Sequence, residues 1–285
     1  MRALDRHRRP IPFRLSPVPV TFFAHQVPVL PVARRWPGKT DGVALVIGSM
    51  APDLAYVING SRFEIWAHDL PWVITFCVPV TVCLSWIIVR VLAPVVPAHL
   101  PQLGNFRLQE YRGLATHRFG VVTTPVCAFV GALSHVMLDS FTHGWGWFAR
   151  HVDWYDDVII EGAWFGRPLT VFRTLQYVGH VGGTTLCLWL LWRYGSQGWM
   201  TARAARVPVR RTPSSTAALW SAVAAGVTAA LVWAGLDSQG FATDLLRISA
   251  GAFAGMTVGA LVVRAGTPNS TSSAADHRAD APERL

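Results

Sequence analysis

Charge is scarce in this chain. Only 14% of its 285 residues are Asp, Glu, Lys or Arg, and Lys39 is the single lysine. A soluble domain carries about 25%, so an ordinary water-facing surface is excluded. The hydrophobic content of 52% points instead to an integral membrane protein. Cysteine is scarce as well. Cys77, Cys83, Cys127 and Cys187 all lie inside apolar runs and none forms a CxxC pair. They read as small buried hydrophobes, which argues against a disulfide framework or a thiolate metal site. A cleavable signal peptide is not recognisable, because the first apolar run is short and broken by Pro17, Pro19, Pro28 and Pro31. The membrane segments are expected to do the targeting. The net charge of +9 would suggest a nucleic-acid partner in a soluble protein, but no such motif accompanies it. With 13 Trp in the chain, the basicity reads as Arg in loops under the positive-inside rule, with Trp at the interfaces. The expected partner is the lipid bilayer.

The organisation follows from where the apolar runs fall. Residues 1–20 are basic and Pro-containing, and are expected to be a flexible extension. Residues 21–265 are expected to form one helical membrane domain, with a core at 21–195 and additional spans within 216–264. The segment 21–34 is too short to cross about 30 Å of hydrocarbon. Spans are expected at 42–59, 72–93, 121–141, 175–194, 216–235 and 246–264, with Pro52 bending or ending the first. An aromatic, acidic loop is expected at 142–174, and its Glu161 reads as solvated. The Ser/Thr/Ala/Asp-rich tail 266–285 reads as disordered. The fold class is therefore all-α, a polytopic bundle of about six membrane segments in the cell membrane. Six crossings place the Arg-bearing loops 94–120 and 195–215 on one side, the cytoplasmic one, as the positive-inside rule favours. The spans within 216–264 carry no polar motif beyond Ser and Thr, and their Ala and Gly suit close helix packing.

Against this apolar background one stretch stands out. Ser134 to His143 reads SHVMLDSFTH and repeats a polar residue every fourth position at His135, Asp139 and His143. Each four-residue step turns a helix by only about 40°, so the three share one stripe. The stripe spans about 12 Å of axis, too long for all three to hold one ion. It is one wall of a site, with His135 and Asp139 as ligands and His143 at the periphery. Asp53 after Pro52 and His68 in AHDLP supply the other wall. His25 in FFAHQ joins only if 21–34 folds back against 42–59. His180 in QYVGHVGG is either an additional ligand or a polar group tied across close-packed helices. Whether the cluster faces the cytoplasm or the outside is open.

Imidazole and carboxylate are ligands for zinc and manganese, and ionisable groups in membrane segments are expensive and functional by default. The expected cofactor is a divalent metal, Zn or Mn, held by His25, Asp53, His68, His135, Asp139 and His143. Such a site lowers the pKa of bound water towards about 7. Asp53 or Asp139 then serves as general base or bridges a second metal.

Five blocks occur in the order expected for a known group: TFFAHQVPVLP, VIGSMAPDLAYV, AHDLPW, ALSHVMLDSFTH and LQYVGHVGG. Over roughly residues 20 to 195 the chain resembles the domain of unknown function 4184 family, a group of uncharacterised bacterial membrane proteins. More distantly it is similar to membrane-bound metal-dependent hydrolases, through His25, Pro52–Asp53, His68 and Ser134–His135 with Asp139. Those relatives tend to have His-Arg-Gly-x-Thr-His around the second histidine, where this chain has Ala67–His68–Asp69. The resemblance implies a metal site. It also implies that residues 1–18 precede the usual start.

The leading expectation is a metal-dependent hydrolase of an amphiphilic ester or phosphoester. A transporter or proton relay is the second, and a non-catalytic membrane scaffold the third. No internal repeat supports transport, and oligomeric state is not readable.

Overall fold

A computed structural model describes residues 23–164, 167–208 and 211–266. The expected extension at 1–20, and the tail beyond Gly266, lie outside the described residues. The described residues are mostly helical, with one small hairpin among them.

Four of the six expected spans are helices long and apolar enough to cross a membrane: Leu70–Leu92, Thr123–Thr142, Pro213–Leu236 and Phe241–Ala265. Their outward faces carry Trp86, Val130, Met137, Leu231, Val232 and Leu261. So extensive an apolar surface suits acyl chains and not water. The count of six is thus not reached on length and apolarity, for two different reasons. The segment expected at 42–59 is broken into Gly42–Gly48, Ala51–Leu54 and the 3-10 turn Ala55–Ile58. Pro52 has no amide to continue the ladder. The segment expected at 175–194 is helical from Val171–Val178 through Gly179–Gly183 to Thr184–Ser196. Gln176, His180, three glycines and two threonines leave it less apolar.

Prolines also shape the first long helix. Val73–Cys77 and Ile88–Leu92 are wide turns in which the amides of Val78 and Ala93 reach back five residues, to Val73 and Ile88. Pro79 and Pro94 lie one residue beyond. The local widening absorbs the bonds that a proline cannot make.

The helix Thr123–Thr142 is central. At its start the Gly120 carbonyl accepts from the Thr124 amide at 3.0 Å. Gly48 and Gly131 let Gly42–Gly48 run directly against it. A Cβ at Gly131 would meet the Leu45 carbonyl and, at 2.8 Å, the Ser49 nitrogen. Gly48 faces the Ala128 backbone in the same way. The helix Val29–Arg35 folds back on Gly42–Gly48, with Ala33 against Gly42 and Val29, Ala44, Leu45, Cys127 and Ala128 in one apolar cluster.

The two long C-terminal helices pair through glycine. Gly226 and Gly251 approach so closely that a Cβ on either would strike the carbonyl of the other, the small-residue packing expected from composition. Thr212 and Ser215 form a reciprocal capping box ahead of Pro213–Leu236. One expectation for this pair is corrected. Phe241–Ala265 contains Arg247, which is 1% exposed. Its guanidinium donates to the carbonyls of Val57 at 3.2 Å and Asn59 at 2.8 Å and to that of Asp237. The group lies over the Trp233 ring. The turn at 57–59 and the end of Pro213–Leu236 are tied to Phe241–Ala265 by one cation, a role that an isolated Arg in an apolar run does not announce.

The segment expected as loop at 142–174 is also more ordered than composition suggested. It holds a short helix, Trp147–His151, and an antiparallel hairpin pairing Val158–Trp164 with Arg167–Thr170. Glu161 is exposed there, as read. At the opposite end, Arg112 donates from Nε to the carbonyls of Ala204 and Val207, which joins the 94–120 and 195–215 loops.

Candidate metal centre

The helix break at Pro52 positions the first carboxylate. Because Gly42–Gly48 ends and Ala51–Leu54 restarts, Asp53 sits buried in the first turn of the new helix. The Ser49 carbonyl, freed at the break, accepts a 2.8 Å hydrogen bond from His135 Nδ1. That bond places the proton of a neutral imidazole on Nδ1 and leaves the Nε2 lone pair directed inward. His135 is wholly buried. One turn on, Asp139 occupies the same stripe.

The remaining histidines come from three other places. His68 lies just before Leu70–Leu92, fixed by the Cys77 thiol donating to the Ala67 carbonyl at 3.7 Å. His25 lies in the 3-10 turn Ala24–Gln26, where Ala24 packs on Gly183 and Gln26 bonds Met50 Sδ at 3.3 Å. His143 follows the end of Thr123–Thr142 in extended conformation, its amide bonded to the Asp139 carbonyl.

All six sequence-predicted residues converge. His135 Nε2 is 3.3 Å from Asp139 Oδ2 and 3.5 Å from Asp53 Oδ1. His68 Nε2 is 3.2 Å from Asp139 Oδ2 and 3.8 Å from Asp53 Oδ1. His25 Nε2 and His143 Nδ1 each stand 3.3 Å from Asp139 Oδ1. His143 therefore reaches the same carboxylate despite the length of the stripe, because the helix ends before it. His180 is not drawn into an ion pair with this group. Its ring nitrogens are buried without a hydrogen-bond partner.

These residues can hold a metal ion, and several observations fit one. The sets His25/Asp53/His135 and His68/His135/Asp139 each bring three ligand atoms within 4.8 Å of one another. Tetrahedral zinc with bonds of about 2.0–2.1 Å has ligand–ligand edges of about 3.4 Å. The four separations among His68, His135, Asp53 and Asp139, from 3.2 to 3.8 Å, bracket that edge. Both ring nitrogens of His25 and His68, His135 Nε2 and Asp139 Oδ1 are buried with no hydrogen-bond partner. Each such atom costs about 1–3 kcal/mol when left unsatisfied, and a bound cation would satisfy His135 Nε2, Asp139 Oδ1 and one nitrogen on each of the His25 and His68 rings. Burial pushes His25 down to about 3 and also lowers His143, which keeps both imidazoles neutral, the form that ligates. The carboxylates of Asp53 and Asp139 carry two negative charges when ionised, which one divalent cation balances.

The surroundings are apolar below and aromatic above. Ala51, Ala55, Ala67, Val73, Cys77 and Ala132 form a buried cluster. Trp145 lies 5.2 Å from the His68 ring and 5.1 Å from His143, and Trp66 lies 5.0 Å from His68. His143, with 13% of its side chain exposed, is the most accessible of the six.

A second polar group was missed by sequence reasoning. Asp41 caps Gly42–Gly48 by accepting from the Ala44 amide, and its Oδ2 accepts from Thr124 at 2.7 Å. His117 Nε2 is 3.1 Å from Oδ1, and the Asp41 amide donates to Cys127 Sγ. Burial alone would raise the Asp41 carboxyl, but the bonds from His117, Ala44 and Thr124 outweigh it and hold the group below its ordinary range. Asp before a helix is an ordinary cap, so only the buried partner His117 marks it out. This cluster sits near the other end of Thr123–Thr142, about 16–22 Å of helix from His135 and Asp139.

Neither the curated proteins nor the solved structures contain a match to this chain. A family model does match, and over more than the blocks first singled out, since it extends through both C-terminal helices. Residues 18–265 match Domain of unknown function (DUF4184), and the chain belongs to that family.

Proposed function

We propose that this chain is a multi-pass protein of the cell membrane that binds a divalent metal, zinc or manganese, and hydrolyses an amphiphilic ester or phosphoester. The observation that carries the reading is the convergence of four imidazoles on the two oxygens of Asp139, at 3.2–3.3 Å, in an apolar surround. Four imidazoles around one carboxylate, three of them buried, are far more than a structural hydrogen bond requires.

When bound, a divalent ion supplies Lewis-acid polarisation of the substrate oxygen and acidifies water. The protein residues do the rest. His135 and His68 with Asp139 and Asp53 would hold the ion. The Ser49 carbonyl fixes the His135 tautomer. Asp53 faces the imidazoles through Oδ1, which leaves Oδ2 to accept the proton of the attacking water. Trp66 and Trp145 exclude bulk water beside His68, which strengthens every electrostatic contact within. The substrate's apolar portion stays in the lipid, and its polar group approaches from the His143 side. The same geometry suits the distant resemblance to membrane-bound metal-dependent hydrolases.

Burial favours a second reading. Structural metal sites are closed and catalytic ones keep an open position, and five of the six ligands are nearly inaccessible. In that reading the metal only ties the helices together. Metal analysis of the detergent-purified protein, followed by turnover of ester and phosphoester substrates, separates the two. Bound metal with turnover lost in Asp53→Asn supports hydrolysis. Bound metal without turnover supports the tie. A folded protein that takes up no zinc or manganese ends both.

A further inference from the structure

The two oxygens of Asp139 serve different imidazoles. Oδ2 faces His68 and His135, at 3.2 and 3.3 Å, while Oδ1 faces His25 and His143, both at 3.3 Å. Oδ1 is buried with no hydrogen-bond partner, and so are both ring nitrogens of His25.

The orientation of His25 matters more than its distance. Its ring stacks on that of His135, with centroids 3.7 Å apart and planes 21° from parallel. An imidazole nitrogen binds a metal through a lone pair lying in the ring plane. Two stacked rings therefore direct their lone pairs side by side and not to one point. His135 has only Nε2 to offer, because Nδ1 is bonded to Ser49. An ion in the plane of His135 is consequently out of line for His25. The displacement between the two planes is close to the separation of ions in two-metal sites, about 3.5–4 Å. A carboxylate that presents one oxygen to each ring is the group that bridges such a pair.

We propose that the centre takes two divalent cations bridged by Asp139: one on His68, His135, Asp53 and Oδ2, the other on His25, Oδ1 and His143, whose Nδ1 would exchange its 3.1 Å contact with Thr142 Oγ1 for the ion. The proposal rests on the reading of this cluster as a metal centre. Two ions clamp both the attacking and the leaving oxygen of a displacement, which narrows the substrate class to phosphoesters. The competing arrangement is His25 joining Asp53 and His135 on a single ion, which requires the stack to open.

The test is equilibrium dialysis of the detergent-purified full chain against Mn(II), with bound metal counted by mass spectrometry and its coupling read by electron paramagnetic resonance. Two ions per chain with an exchange-coupled signal are expected. His25→Ala and His143→Ala should each leave one ion with an uncoupled six-line signal. If a variant unfolds, His25→Gln replaces it, and the wild-type count needs no variant at all. One uncoupled ion at saturation in the wild type, retained in His25→Ala, overturns the two-ion proposal and leaves the single-ion reading standing. A cooperatively folded wild type that binds no Mn(II) overturns both.

Discussion

Asp139 is the residue on which the candidate centre turns, since four imidazoles face its two oxygens. Asp139→Asn keeps the shape, removes the charge and places an amide donor where an acceptor is required. Mn(II) affinity in that variant is expected to fall by more than about 100-fold, read by dialysis, with the helical circular dichroism unchanged. His135 and Asp139 were legible in the sequence because polar residues inside an apolar run are costly and conspicuous. Asp41 was not, because a capping aspartate is common and its partner His117 lies 76 positions away in a polar loop. The Asp41 carboxyl is held below its ordinary range. Its stabilising contribution is therefore complete above about pH 4 and is lost as pH falls through the lowered folded value. The melting temperature of the wild type should exceed that of Asp41→Asn near neutrality, and the gap should close below about pH 4.

Among the elements, the contact between Gly42–Gly48 and Thr123–Thr142 sets the site without contributing a ligand. Gly131 admits the backbone of Leu45 and Ser49, and that approach brings the Ser49 carbonyl to His135 and Asp53 to its neighbours. Gly131→Val should separate the helices, cost about 1–3 kcal/mol and weaken Mn(II) binding about tenfold with every ligand present. A thermal melt and a binding isotherm on the same sample check this. Element by element, sequence reading served best where the periodicity was long and apolar. Two of the six expected spans fall short of a crossing helix in length and apolarity, one where Pro52 breaks the segment and one where His180 and its glycines dilute it. The hairpin at Val158–Trp164 and Arg167–Thr170 was missed because short strands among aromatics and acids carry little periodic signal. Arg247 was missed because, beside the carboxylates of Asp237 and Asp244, its guanidinium is held by the carbonyls of Val57, Asn59 and Asp237, which no side-chain pattern reveals.

In the whole molecule, the candidate centre draws on segments from residue 25 to residue 143, so metal bound there would be linked to the fold. A ligand present at 100 times its Kd adds about 2.7 kcal/mol to a state that alone binds it. Chelation should accordingly lower the melting temperature by about 5–10 °C, and Zn(II) or Mn(II) should restore it where Mg(II), an oxygen-preferring ion, does not. The C-terminal pair stands apart from the ligand set but not from this linkage. Arg247 grips the carbonyls of Val57 and Asn59, a few residues beyond Asp53, so loosening that pair should be felt at the centre.

The two indoles beside His68 have an optical consequence. Trp145 touches the rings of both His68 and His143, and Trp66 meets Trp145 edge to face. Their emission is thus sensitive to whatever charge and spin lie a few ångströms away. A paramagnetic ion entering the centre should quench them while a diamagnetic one only shifts their spectrum. Of the chain's 13 Trp, these two should report an ion that enters the centre, as a fractional change in emission readable in a lipid vesicle without an added label.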